Sequence, residues 1–247
     1  MKTIENICYS GTQCLDLYLP ERDTFDLFVF FHGGSLESGD KGTSSVKMIA
    51  PWLTARGIAL ASCNYRMYPD ANYPDFVQDA AAAVHWLSHH VGAYGNCSRI
   101  FVGGSSAGAY LSMMLCFDAR WYAAQGELAV PVCGYLHNAG QPTCHFNVLR
   151  ERGIDRRRVI IDDSAPLYHI GTAAEYPPMM FVVSDNDMKG RFEQTQLVLA
   201  SLRHFGYDQD KILYHLLEGK HCAHDTQSDE DGNPILGKLI LELIQRF

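Results

Sequence analysis

Phe101-Val102-Gly103-Gly104-Ser105-Ser106-Ala107-Gly108-Ala109 is the stretch on which the fold turns. It contains Gly104-x-Ser106-x-Gly108. An apolar run precedes it, and Ala109-Tyr110-Leu111-Ser112-Met113-Met114-Leu115 follows as a helix-forming run. A nucleophile elbow requires this strand–turn–helix setting. Glycines lack a Cβ, so the backbone can turn sharply and hold the serine exposed in a strained conformation. The helix N-terminus behind the serine favours developing negative charge. No Lys follows the glycines, which argues against a phosphate-binding loop. Ser106 is therefore the candidate nucleophile. Ser105 fits no such frame and is assigned to the substrate pocket instead.

Outward from this turn, short β-like runs alternate with helical stretches. Candidate strands are Ile4–Tyr9, Gln13–Leu19, Leu27–Phe31, Ile58–Tyr65, Arg99–Val102, Val132–His137, Met179–Ser184 and Ile212–Leu217. Leu27–Phe31 and Met179–Val183 are nearly continuous apolar runs, as in strands covered on both faces of a parallel sheet. Gln13–Leu19 alternates and reads as half-exposed. Helices fit after Pro74, Gly190 and Pro234. An antiparallel start followed by β–α alternation implies a mixed, mostly parallel sheet covered on both faces. No strand is evident between Asn138 and Tyr176, and so long a connection is read as a small cap over the site.

Two further segments supply partners for Ser106. Phe30-Phe31-His32-Gly33-Gly34-Ser35 follows the third strand. The N–H groups of Gly33, Gly34 and Ala107 are the candidate oxyanion donors, and His32 is read as orienting the loop. Ser184-Asp185-Asn186-Asp187 follows the seventh strand, and Glu218-Gly219-Lys220-His221-Cys222-Ala223-His224 the eighth. The chain order Ser…Asp…His and the position at strand C-termini suit an acid–base pair. Asp187 is preferred to Asp185 because it lies deeper in its turn. His221 is preferred to His224 because it follows the strand and its glycine closely. A metal site from His221, Cys222 and His224 lacks further ligands, so neither metal nor cofactor is expected. Ser35, Ser105, Phe146 and Tyr168 are the candidate substrate contacts.

Composition narrows the partners. The chain has 247 residues, 47% hydrophobic and 19% charged, with a net charge of −8. This fits a globular chain and argues against nucleic acid or an anionic membrane as partner. No secretory signal is evident, and no run reaches the roughly 18–20 apolar residues of a membrane span. None of the eight cysteines forms a C-x-x-C pair. They read as reduced thiols, and the expected compartment is the cytoplasm.

Together these motifs resemble the hormone-sensitive-lipase-like and feruloyl-esterase-like (BD-FAE, kynurenine-formamidase-like) branch of the α/β-hydrolases. His32-Gly33-Gly34-Ser35-Leu36-Glu37-Ser38-Gly39-Asp40-Lys41 is similar to its HGG(G)-W-x-x-G-D-K stretch, and Asn64-Tyr65-Arg66-Met67-Tyr68-Pro69 to its Y-R-L-x-P segment. Tyr73-Pro74, Asp79 and Trp86-Leu87 resemble the following helix. Ser164-Ala165-Pro166-Leu167 and Pro177-Pro178 resemble the approach to the seventh strand. Leu36 replaces a frequent Trp and Ser35 a third Gly. Only about two strands precede the HGG motif, so the large N-terminal cap of lipase-like members is missing.

The resemblance implies an α/β-hydrolase fold: an eight-stranded, mostly parallel sheet with helices on both faces. It would form a single domain over residues 1–247, with a small cap insertion, 138–176, after the sixth strand. It further implies a serine esterase acting through an acyl-enzyme on small soluble esters, acetyl or feruloyl/phenolic. An amidase of the arylformamidase type and a non-catalytic ligand-binding member are the alternatives. The expected partner is a small-molecule ester; oligomeric state is left open.

Overall fold

The computed structural model describes residues 1–247. Its elements are β1 (Lys2–Ser10), β2 (Gln13–Leu19), β3 (Thr24–Phe31), α1 (Ser44–Thr54), β4 (Ile58–Cys63), α2 (Asp75–His90), β5 (Asn96–Ser105), α3 (Ala107–Phe117), α4 (Arg120–Ala123), β6 (Val132–Asn138), α5 (Phe146–Glu151), β7 (Met179–Asn186), α6 (Arg191–His204), β8 (Ile212–Lys220) and α7 (Ile235–Arg246). The strands form one eight-stranded sheet in the order β1-β2-β4-β3-β5-β6-β7-β8. β1 and β2 pair antiparallel, as do β2 and β4. The rest of the sheet, from β4 to β8, is parallel.

Covering both faces explains the apolar runs. In β3, Leu27, Val29 and Phe31 point into one core with α2, α3 and α6, while Phe28 and Phe30 point into another with α1 and α7. Helix α7 buries Leu236, Leu239, Ile240, Leu243 and Ile244, which recur at three- and four-residue spacing on one stripe. Each such side chain contributes roughly 1.5–3 kcal/mol on burial. Because β3, β5, β6, β7 and β8 run parallel, their C-terminal ends bring the loops carrying His32, Ser106, Asn138, Asp187 and His221 to one edge of the sheet.

Three expectations are corrected. Strand β2 is not half-exposed: Asp16 is buried, with Lys41 Nζ 3.0 Å from Oδ1 and the Asn6 N–H donating to the same carboxylate. A buried partner from a distant loop reversed what alternation alone suggested. The cysteines are not all free thiols, because Cys8 and Cys14 are joined in a disulfide across the β1–β2 pair. The other six remain free. The third concerns Ser105, described with the site below.

Residues 139–178, between β6 and β7, hold the short helix α5, a 3₁₀ turn at Pro166–His169, and a small apolar cluster of Cys144, Leu149 and Ala165. This segment grips the loop after β3. Asn147 donates its side-chain N–H to the Ser35 carbonyl, and Arg150 pairs with Glu37. No helix is long and apolar enough to cross a membrane.

Candidate active site

The turn between β5 and α3 is as tight as its sequence requires. Ser106 sits at φ 55°, ψ −110°, a left-handed backbone that costs a non-glycine residue about 1–3 kcal/mol. The Ser106 N–H donates to the Asn138 carbonyl at 2.8 Å, and the Ser106 carbonyl accepts from the Tyr110 N–H. The flanking glycines permit close approach of β3: a Cβ on Gly108 would lie 1.9 Å from the Phe31 carbonyl oxygen, and one on Gly104 2.6 Å from it. No side chain fits either place.

His221 lies in the turn after β8, with Gly219 at φ 130° and Cys222 at φ 52° on either side. Its Nε2 is 2.8 Å from Ser106 Oγ, and its Nδ1 is 2.5 Å from Asp187 Oδ1. The Asp187 carboxylate also accepts the N–H groups of Met188 (2.7 Å) and Ser184 (3.3 Å). Burial alone would push the Asp187 carboxyl up. The hydrogen bond and charge of His221, with the two backbone donors, outweigh it and hold the group below the usual carboxylate range. Asp187 is thus an anion at neutral pH, fixing the imidazole with its proton on Nδ1. Nε2 is then a free lone pair facing the serine hydroxyl.

The structure brings Ser106, Asp187 and His221 together and leaves their neighbours elsewhere. Asp185 turns to the next loop, where its carboxylate accepts the Gly219 N–H at 2.8 Å. Ser184 Oγ donates to the Lys220 carbonyl at 3.0 Å. These two bonds bind the acid loop to the histidine loop. His224 is buried, and burial lowers its pKa to about 4; its Nε2 bonds Asn138 Oδ1 at 2.8 Å.

The loop after β3 passes beside the serine. A Cβ on Gly33 would be 3.4 Å from Ser106 Cβ. The Gly33 and Gly34 N–H groups meet no protein acceptor. Ala107 is the first residue of α3, so its N–H has no partner within the helix. Gly34 adopts φ 120°, and its carbonyl accepts from Glu37 and Ser38. His32 braces this loop: it is buried, its Nδ1–H donates to the Gly33 carbonyl at 2.7 Å, and its ring stacks on Tyr65 at 4.6 Å. Burial lowers its pKa, so it stays neutral.

The expected substrate contacts separate. Ser35 and Phe146 are half-buried, with Phe146 stacked on His145 at 4.3 Å. Tyr168 is exposed, its ring edge-on to His169. Ser105 is a correction: it is buried, and its Oγ accepts from Asn138 Nδ2 at 2.9 Å. Successive residues of a strand point to opposite faces, and Ser105, the last residue of β5, turns into the protein. Sequence reasoning missed Asn138, Asp225 and Asn147. Asn138 was signalled by its place at the C-terminal end of a central strand; the other two lie where no motif points.

Solved structures with the same arrangement of elements are numerous. Esterase B from Lactobacillus rhamnosis superposes with a TM-score of 0.79 over 99% of this chain and 84% of its own, at 18% identity. A truncated carbohydrate esterase from gut microbiota gives 0.78 over 100% and 96%, at 17% identity. The chain has the α/β-hydrolase fold. Residues 15–130 match the BD-FAE family model. Carboxylic ester hydrolase LipN of Mycobacterium tuberculosis is 37% identical over 114 residues, 44% of this chain and 30% of LipN. The probable isoprenylcysteine alpha-carbonyl methylesterase ICMEL1 of Arabidopsis thaliana is 34% identical over 101 residues, 40% of this chain and 21% of its own length. Carboxylesterase NlhH of M. tuberculosis is 29% identical over 142 residues, 52% of this chain and 44% of NlhH. The chain thus spans less than half the length of these relatives.

Proposed function

We propose that the chain is a serine carboxylic ester hydrolase working through an acyl-enzyme, with Ser106 as nucleophile, His221 as general base and acid, and Asp187 as the orienting anion. The observation that carries this reading is the unbroken hydrogen-bond chain from Ser106 Oγ through both nitrogens of His221 to Asp187. His221 Nε2 takes the hydroxyl proton as Oγ attacks the acyl carbon. The carbonyl π electrons move onto oxygen, and the N–H groups of Gly33, Gly34 and Ala107 stabilise that oxyanion. Collapse of the intermediate breaks the bond to the alkoxy oxygen, which leaves with the proton from His221. A water, deprotonated by the same imidazole, then attacks the acyl-serine and restores the hydroxyl.

Small soluble esters, acetyl or feruloyl/phenolic, are the proposed substrates. The names of the relatives, methylesterase, carboxylesterase and carbohydrate esterase, favour an ester over an amide. A fluorophosphonate probe followed by peptide mass mapping tests the mechanism: labelling is expected at Ser106 and absent from Ser106→Ala. Turnover across p-nitrophenyl acetate to octanoate, acetylated sugars, feruloyl esters and N-formylkynurenine tests the substrate class. Preference for the formamide over every ester would replace this reading with an amidase. No labelling and no turnover would remove it.

A further inference from the structure

Behind Ser106 lies a buried polar cluster that the proposed chemistry does not use. Asn138 is the last residue of β6 and fully buried. Its backbone carbonyl accepts the Ser106 N–H at 2.8 Å. Its side-chain Nδ2 donates to Ser105 Oγ at 2.9 Å and to Asp225 Oδ1 at 2.6 Å. Its Oδ1 accepts from His224 Nε2 at 2.8 Å. Ser105 and Ser106 form the nucleophile turn. His224 and Asp225 lie in the 3₁₀ turn Ala223–Thr226, which begins two residues after His221. The Asp225 N–H closes that turn on the Cys222 carbonyl at 3.1 Å.

We propose that Asn138 is a positioning residue that sets the separation of the Ser106 hydroxyl and the His221 imidazole by tying the serine turn to the segment carrying the histidine. The amide group suits the task because it offers two donors and an acceptor on one rigid plane. The reverse placement of the amide would turn its oxygen on the Asp225 carboxylate, so the orientation is fixed by charge. A carboxylate at 138 would lose both donors and repel Asp225; an apolar side chain would remove the group that Asp225, Ser105 and His224 share and leave the buried His224 Nε2 and Ser105 Oγ each one hydrogen bond short. The catalytic consequence rests on the serine-hydrolase reading; the tie itself does not.

The test uses the full chain and two independent readouts. One is the downfield proton resonance of His221 Nδ1–H, which reports the imidazole's geometry without any turnover. The other is kcat and KM for p-nitrophenyl acetate, per site titrated with fluorophosphonate. Asn138→Ala is expected to move or broaden the resonance. It should also lower kcat per titrated site by about 10–100-fold with KM within about threefold, since misplacement by about 1 Å costs on that order. Asp225→Asn, which removes one charged acceptor and little volume, should shift both readouts in the same direction, and it decides the matter if Asn138→Ala does not fold. An unchanged resonance and a kcat per site within about twofold of wild type in the folded variant would overturn the proposal. A wild type that no fluorophosphonate labels would remove the hydrolase reading alone, because the resonance still decides whether Asn138 holds His221.

Discussion

Asp187→Asn is the substitution whose effect follows most directly from the geometry. The carboxylate accepts three N–H groups: His221 Nδ1–H, Met188 and Ser184. An amide has one acceptor oxygen and one donor nitrogen, so it cannot satisfy all three. If the amide oxygen takes the Oδ2 place and keeps the Ser184 donor, Nδ2 takes the Oδ1 place, faces the imidazole and donates to Nδ1. The ring proton then moves to Nε2, which can no longer accept the Ser106 proton. A wrong-tautomer change of this kind costs on the order of 10⁴-fold in kcat in a triad of this geometry, about 5.5 kcal/mol of transition-state stabilisation at 1.36 kcal/mol per decade. Asp185→Asn is the control. Its Oδ1 can still accept the Gly219 N–H, so a loss below about tenfold is expected. The assay is kcat for p-nitrophenyl acetate, with folding checked by near-ultraviolet circular dichroism. An Asp187→Asn enzyme within about tenfold of wild type, or equal losses at the two positions, would refute the reasoning.

Gly108→Ala places a methyl 1.9 Å from the Phe31 carbonyl oxygen; it should destabilise by at least the ~1–3 kcal/mol of an overpacked core, read as a lower urea midpoint. Burial lowers the pKa of His137 to about 3, of His145 to about 3 and of His224 to about 4. The unfolded chain therefore takes up these protons first, so stability is full above about pH 6.5 and falls as the pH drops toward 4, by up to ~1.4 kcal/mol per pH unit for each group. Asp225, raised to about 6 by burial, opposes this between about pH 6 and 4; a urea midpoint that rises on acidification from pH 6.5 to 4.5 would contradict the balance. Reducing the Cys8–Cys14 disulfide opens a short loop on an edge hairpin. It should cost about 2 kcal/mol and lower Tm while leaving kcat unchanged.

What was legible in the sequence was what local pattern controls. The central strands were readable because a strand buried on both faces must be apolar throughout. The serine turn was readable because glycines are the only residues its approach to β3 admits. Depth in the turn pointed to Asp187, the aspartate that the structure places against His221. The misreadings share a different origin. Asp16 reads as solvent-facing until Lys41 arrives from a loop. Cys8 and Cys14 carry no motif, and only the register of β1 on β2 joins them. Ser105 reads as a pocket residue by adjacency, whereas strand alternation turns it inward. The Asp16–Lys41 contact needs two distant segments to meet, whereas the Cys8–Cys14 bond spans six residues and needs only a strand register that residue pattern alone does not give.

The bonds from Asp185 to Gly219 and from Ser184 to Lys220 divide the proposed catalytic machinery into two prefabricated pieces. The proton-handling pair rides on β7 and the outermost strand β8, while the hydroxyl and the free amides ride on β3 and β5 in the middle of the sheet. Fraying at the β8 margin would carry off the imidazole with the backbone that anchors it and leave the serine standing in an intact centre. Turnover in mild denaturant should then fade ahead of the tertiary signal, and the protein would pass through a folded but idle form on its way to unfolding.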